Sequence, residues 1–199
     1  MRILLVGASG TIGRAVAAEL GARHELVTAG RSSGDLHMDI TDAASIRTAY
    51  REAGGLDAVV CAAGTVTFKP LADMTAADYE VGLHDKLMGQ VNLVLIGREH
   101  VADGASFTLT GGVLDHDPIV EGSSASMVNG ALNAFVLSAS IELGRGLRVN
   151  VVSPGVITES LDVYAPYFRG FESVSAARAA LAYAKSVEGK RTGHVFRVH

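Results

Sequence analysis

The stretch Val6-Gly7-Ala8-Ser9-Gly10-Thr11-Ile12-Gly13 decides how this chain is read. It follows a short continuous apolar run, Ile3 to Val6, of the kind a strand buried on both faces presents. It opens a segment with Ile12, Val16 and Leu20 at helical spacing, closed by Gly21. In such a strand–turn–helix unit one glycine permits a positive φ and another admits close backbone approach to a pyrophosphate. The last lets the helix pack on the strand. Free N–H groups at the helix start then face the phosphates. A plain tight turn uses the same glycines, but the flanking strand and amphipathic helix favour dinucleotide binding. Gly7, Ser9, Gly10, Thr11, Ile12 and Gly13 are therefore the expected pyrophosphate cradle.

Working outward, strand and helix patterns alternate to the end of the chain. Strands are expected at 25–29, 36–38, 56–61, 106–109, 148–152 and 194–198. Helices are expected from Thr41 or Asp42 to about Ala53, and at about 75–101, 123–143 and 174–185. This alternation predicts an α/β Rossmann fold: a doubly wound parallel sheet with helices on both faces, formed by residues 1–199 as a single domain. A composition of 48% hydrophobic and 19% charged residues is globular. The net charge of -4 gives no electrostatic reason to expect nucleic acid or an anionic membrane as partner. Cys61 is the only cysteine, which rules out an intrachain disulfide and a zinc–cysteine cluster, and no metal is expected. No uninterrupted apolar run reaches membrane-spanning length, and the N-terminal run is too short for a signal peptide. The expectation is a cytoplasmic protein.

The second strand ends Ala29-Gly30-Arg31-Ser32, with no acid there for a ribose 2′-hydroxyl. Arg31 instead offers a planar fork of donors suited to a 2′-phosphate, with Ser32 beside it, and Arg14 adds a second positive charge. Both arginines as solvated surface groups is the alternative. The expected cofactor is NADP(H).

These residues, with others downstream, resemble the short-chain dehydrogenase/reductase superfamily over essentially the whole chain. Met38-Asp39-Ile40 looks like the family's Asp-Val pair at adenine, and Cys61-Ala62-Ala63-Gly64 looks like its Asn-Asn-Ala-Gly. The run Arg148 to Gly155 is very close to the strand and turn beneath the nicotinamide, and Thr158 falls where the family often has a Thr at the carboxamide or phosphate. The resemblance thus implies cofactor contacts from Asp39 and Ile40, from Ala62, Ala63 and Gly64, and from Pro154, Gly155, Val156 and Thr158.

The catalytic matches fail. In the family a Tyr donates the proton, a Lys four residues on lowers its pKa, a Ser polarises the carbonyl, and an Asn on the preceding helix completes a relay. The segment Ala131 to Phe135 resembles the family's residues just after that Lys, which puts Ala125 at the Tyr position and Asn129 at the Lys position. Gly111 or Gly112 falls at the Ser, and Lys86 replaces the Asn. No Tyr-x-x-x-Lys exists anywhere in the chain: the residues four after its tyrosines are Gly54, Leu83, Phe168, Phe171 and Val187. Asn129 retains the capacity to hydrogen-bond a ribose.

Surrogate donors are Lys86, whose pKa falls if it is buried, and His116, which titrates in the right range. An exposed helix lysine and a surface histidine are the plain alternatives. Ser123, Ser124 and Ser126 lie near the lost Tyr, and Tyr164 and Tyr167 read as lid packing. Two functions remain open: an NADP(H)-dependent oxidoreductase on an unknown small carbonyl or alcohol substrate, or a catalytically silent NADP(H)-binding protein that reports to a partner. By resemblance, a homodimer or homotetramer is expected on the two long helices, with Ala125, Gly130, Ala134 and Ser138 as a small-residue face.

Overall fold

The leading strand β1 (Arg2–Val6) is apolar on both sides because both sides are covered. Its alternate residues divide between two cores, with Ile3 and Leu5 packing on one face and Leu4 and Val6 on the other. The structure, a computed structural model, describes residues 1–199. Six further strands join β1: β2 (Glu25–Gly30), β3 (Leu36–His37), β4 (Leu56–Cys61), β5 (Val101–Thr110), β6 (Arg148–Pro154) and β7 (His194–Val198). They form one parallel sheet in the order β3-β2-β1-β4-β5-β6-β7. This is the doubly wound α/β arrangement expected.

One face carries α1 (Thr11–Gly21) and α7 (Ala176–Glu188), whose Val16, Leu20, Tyr183 and Val187 meet Ile3 and Leu5. The other face carries α2 (Ala43–Ala53), α4 (Gly89–Gly97) and α5 (Ser123–Glu142), with Tyr50, Leu93 and Leu132 in the larger core. Asp42 caps α2 by accepting from the N–H of Ala44. Winding proceeds from β1 to β2 and β3, then jumps back to β4 on the other side of β1. The carboxyl ends of β1 and β4 therefore diverge, opening the crevice where such sheets bind ligands.

Three expectations change. The helix expected over 75–101 is divided into α3 (Ala76–Gly82), a π-helical turn (Leu83–Met88) and α4. Val101 begins β5 instead of ending the helix, since Gly97 packs on Tyr50 and Val101 registers with Leu56. The helix expected from Val174 begins two residues later, because Val174 exchanges backbone bonds with Val156 and Thr158, and Ser175 caps the helix.

The twenty residues of α5 are long and apolar enough to cross a membrane by length and mean composition, although serines and asparagines interrupt the run. Here, however, Val128, Leu132 and Val136 of α5 are buried against the sheet. Ala125 also departs from its expected face: it packs on Val113 and Leu114 beside the crevice, leaving Ala134 and Ser138 exposed.

A short helix α6 (Leu161–Tyr164) lies in the segment between β6 and α7. Phe68, Tyr164, Phe168 and Phe171 form an aromatic chain there, with ring centroids 5.3 to 6.4 Å apart.

Candidate active site

A groove runs along the carboxyl ends of β1, β4, β5 and β6. It comprises two adjoining cavities of about 260 and 400 Å³ that share Ala62, Ala63 and Gly64. Gly7, Ser9, Gly10, Arg31, Ser32 and Ile40 line the smaller one. Thr11, Ile12, Asn129, Pro154, Gly155 and Val156 line the larger. Most of the expected cofactor residues thus meet along one continuous surface.

Gly13 lies behind that surface, where a Cβ would collide with the carbonyl of Gly7. Its role is the close helix-on-strand packing that keeps the turn tight. Arg14 is exposed and donates from Nη1 to the carbonyl of Ser9 at 2.6 Å, which braces the same turn.

Besides Gly13, three candidates fall outside the groove lining. Asp39 turns its carboxylate to the backbone N–H and hydroxyl of Thr41, at 2.9 and 2.7 Å, and these bonds hold it below its ordinary range. Thr158 is exposed and donates to Ser173 Oγ at 2.9 Å, while Ser160 reaches the larger cavity instead. His116 sits 2.9 Å from the carboxylate of Asp115, its ring centroid 5.1 Å from that of His199. It is held toward the C-terminal strand, away from the cleft.

Lys86 projects from the π-helical turn into the larger cavity, and every partner it has is neutral. Its Nζ donates to the carbonyl of Gly111 at 3.1 Å and to Oδ1 of Asn129 at 2.8 Å. Asn129 Nδ2 in turn donates to the carbonyl of Gly112 at 3.2 Å, which fixes the amide's orientation. Burial without a facing carboxylate pushes the Lys86 pKa down to about 8. Gly64 makes room for the lysine stem: its φ is +140°, and a Cβ there would stand 2.7 Å from Lys86 Cγ.

Sequence reasoning missed Gln90. This fully buried side chain donates to the carbonyls of Lys86 and Thr110 at 3.1 and 3.0 Å and accepts from the Thr110 N–H at 2.7 Å. It ties the π-helical turn to the end of β5, so Lys86 and Gly111 are positioned together. A glutamine just before the largely apolar segment Val91 to Ile96, broken only by Asn92, was the available signal.

The two positions that seemed merely lost are exchanged. The sequence register puts Asn129 at a lysine position and Lys86 at an asparagine position, and the fold brings these side chains into direct contact. An ammonium and an amide oxygen are both present, supplied from opposite helices. The tyrosine has no such replacement at Ala125, which is buried at the cleft wall. Val66, Phe68, Val113 and Leu114 make the surrounding wall apolar, with Tyr164 and Phe168 at its rim, and Lys86 is the one charged residue lining this cavity. Ser123 pairs with Tyr79 at 2.9 Å, and neither it, Ser124, Ser126 nor Tyr167 lines the cleft.

Comparisons with known proteins agree with this fold. The profile of the family described as enoyl-(acyl carrier protein) reductase matches residues 7–190. The hydroxynaphthalene reductase-like protein Arp2 of Metarhizium brunneum is 26% identical over 196 residues, covering 83% of this chain and 72% of the relative. Among solved structures, protein lin1944 from Listeria innocua superposes with a TM-score of 0.98 at 50% identity, covering 100% of both chains. A small-chain dehydrogenase in complex with NADPH shares the fold, with a TM-score of 0.88 at 22% identity over 100% of this chain and 96% of the other.

Proposed function

The chain belongs to the short-chain dehydrogenase/reductase family of oxidoreductases, and from that premise we propose an NADP(H)-dependent carbonyl reductase in which Lys86 supplies the proton. The observation that carries this reading is an ammonium, depressed to about 8 and held only by neutral oxygens, at the wall of an apolar cleft.

The groove fits the cofactor. Gly7, Ser9 and Gly10 of the glycine turn line it, Arg31 and Ser32 stand at its adenosine end, and Asn129, Pro154, Gly155 and Val156 line its other end. A neighbour of the same fold binds NADPH, which supports the choice. Bound there, NADP(H) supplies the hydride, and the protein's task is orientation and the proton.

An ammonium has three N–H donors, and Gly111 and Asn129 engage two of those on Lys86. The third is left for a carbonyl oxygen in the cleft. Proton transfer from Nζ to that oxygen leaves a neutral amine, which the apolar wall tolerates better than the ion. Val66, Phe68 and Leu114 make the wall beside the transfer apolar. The acid form is the competent one for reduction, so kcat/KM should be level below pH 8 and fall as pH rises through about 8.

The test is NADPH oxidation with a panel of small aldehydes, ketones and quinones across pH. Lys86→Met should lower kcat by on the order of 10²–10⁴, with KM changed far less, and should remove the alkaline limb. Undiminished turnover in this variant would refute the assignment. A second reading, a silent NADP(H)-binding protein acting through a partner, draws on the alanine at position 125. Tight NADPH binding without turnover of any panel member would favour it.

We further propose that residues 1–199 form one dinucleotide-binding domain that works in the cytoplasm as a homodimer or homotetramer.

A further inference from the structure

Arg31 faces an acid across the groove. Its Nη1 lies 4.0 Å from Oδ2 of Asp85, and both side chains line the smaller cavity. The two are unequally held. Asp85 is only 15% exposed, and its Oδ1 accepts the backbone N–H of Thr65 at 2.8 Å, whereas the Arg31 side chain is 64% exposed. The carboxylate is thus a fixed feature of the groove, with its second oxygen turned toward Arg31. It enters from the π-helical turn, one residue before Lys86, and not from the tip of β2.

Resting on the dinucleotide reading, we infer that Asp85 is a specificity-determining residue for the cofactor. It competes with a 2′-phosphate for Arg31 and accepts a hydrogen bond from a 2′-hydroxyl, so the protein takes NADH as well as NADPH with a narrow preference.

The charges require this direction. A phosphate dianion that engages Arg31 shares the guanidinium with Asp85 and stays near a carboxylate held at Oδ1 by the Thr65 N–H. Like charges at such range oppose each other even at surface dielectric. A ribose hydroxyl brings no charge and supplies the donor that Asp85 Oδ2 lacks. Asp39, the other acid near Arg31, does not act in this way, because it does not line the cavity that Arg31 and Asp85 share, and its Oδ1 is engaged by Thr41.

The experiment measures binding, not turnover. The chain has no tryptophan, so NADPH and NADH can be titrated by their own fluorescence. Calorimetry with adenosine 2′,5′-bisphosphate and with AMP reports the ribose end alone. Wild type should prefer NADPH by less than about tenfold. Asp85→Asn keeps an oxygen for the Thr65 N–H and should widen that ratio about tenfold, tightening NADPH and the bisphosphate while weakening NADH. Arg31→Ala alters an exposed side chain, leaves Asp85 unopposed, and should invert the preference toward NADH. An unchanged NADPH/NADH ratio in Asp85→Asn, or a retained NADPH preference in Arg31→Ala, overturns the inference while leaving the dinucleotide reading intact. Failure of wild type to bind either dinucleotide overturns both.

Discussion

Lys86 and Asn129 stand in direct contact, and in the proposed reaction they supply an ammonium and an amide from exchanged positions. An ammonium needs a low-polarity wall and oxygen acceptors, and these are provided whichever helix carries the lysine. The exchange predicts how a tyrosine should be restored. Ala125→Tyr alone should raise turnover, because a cation already stands in the same cleft. Adding Asn129→Lys should undo the gain, since it replaces the acceptor 2.8 Å from Lys86 Nζ with a second ammonium. Comparing kcat/KM of the single and double variants checks this, and a double variant more active than the single would contradict it. At Gly64, substitution by alanine strains a φ of +140° and drives a methyl into the lysine stem. Gly64→Ala should cost about 1–3 kcal/mol, read as a lower Tm, and should lower kcat by displacing Lys86.

At the scale of elements, the π-helical turn Leu83–Met88 and β5 act as one unit through Gln90. Removing that amide leaves the Thr110 N–H and the Thr110 carbonyl without their buried partner. Gln90→Leu should therefore destabilise the protein by about 1–3 kcal/mol for each group left unsatisfied, measurable by denaturant unfolding. It should also shift the alkaline limb of the pH profile, which simple loss of stability would not do. The helical segment was legible in the sequence, and Thr75 and Asp78 form a full capping box at its start. Its wider turn was not legible, because nothing in the local pattern separates a π turn from an α turn. Packing decides it.

At the scale of the molecule, the faces of α4 and α5 that turn away from the sheet remain apolar. Leu95, Leu137 and Ile141 are exposed, Ile141 to 84%. For the proposed oligomer these larger side chains are the exposed apolar surface on offer, whereas Ala125 packs beside the cleft. Light scattering at micromolar concentration should give a dimer or tetramer mass. Leu137→Glu with Ile141→Glu should reduce it to the monomer, because burying two carboxylates in an apolar interface is costly. A wild-type monomer would end the proposal.

The order of strands and helices, the sheet type and the glycine turn were all legible in the sequence. Each depends on local periodicity and on backbone geometry that only glycine satisfies. Arg31 was legible for the same reason, as the residue at the tip of a strand. What the sequence withheld were the contacts that span distance. Lys86 meets Asn129 across 43 positions, and Arg31 meets Asp85 across the groove. His116 is drawn away from the cleft by Asp115 and the C-terminal strand. Local pattern fixes which way a side chain leaves its own helix or strand. Only the packing of one element against another decides what it finds there, and therefore whether a lysine is a solvated charge or one held among neutral oxygens at a cleft wall.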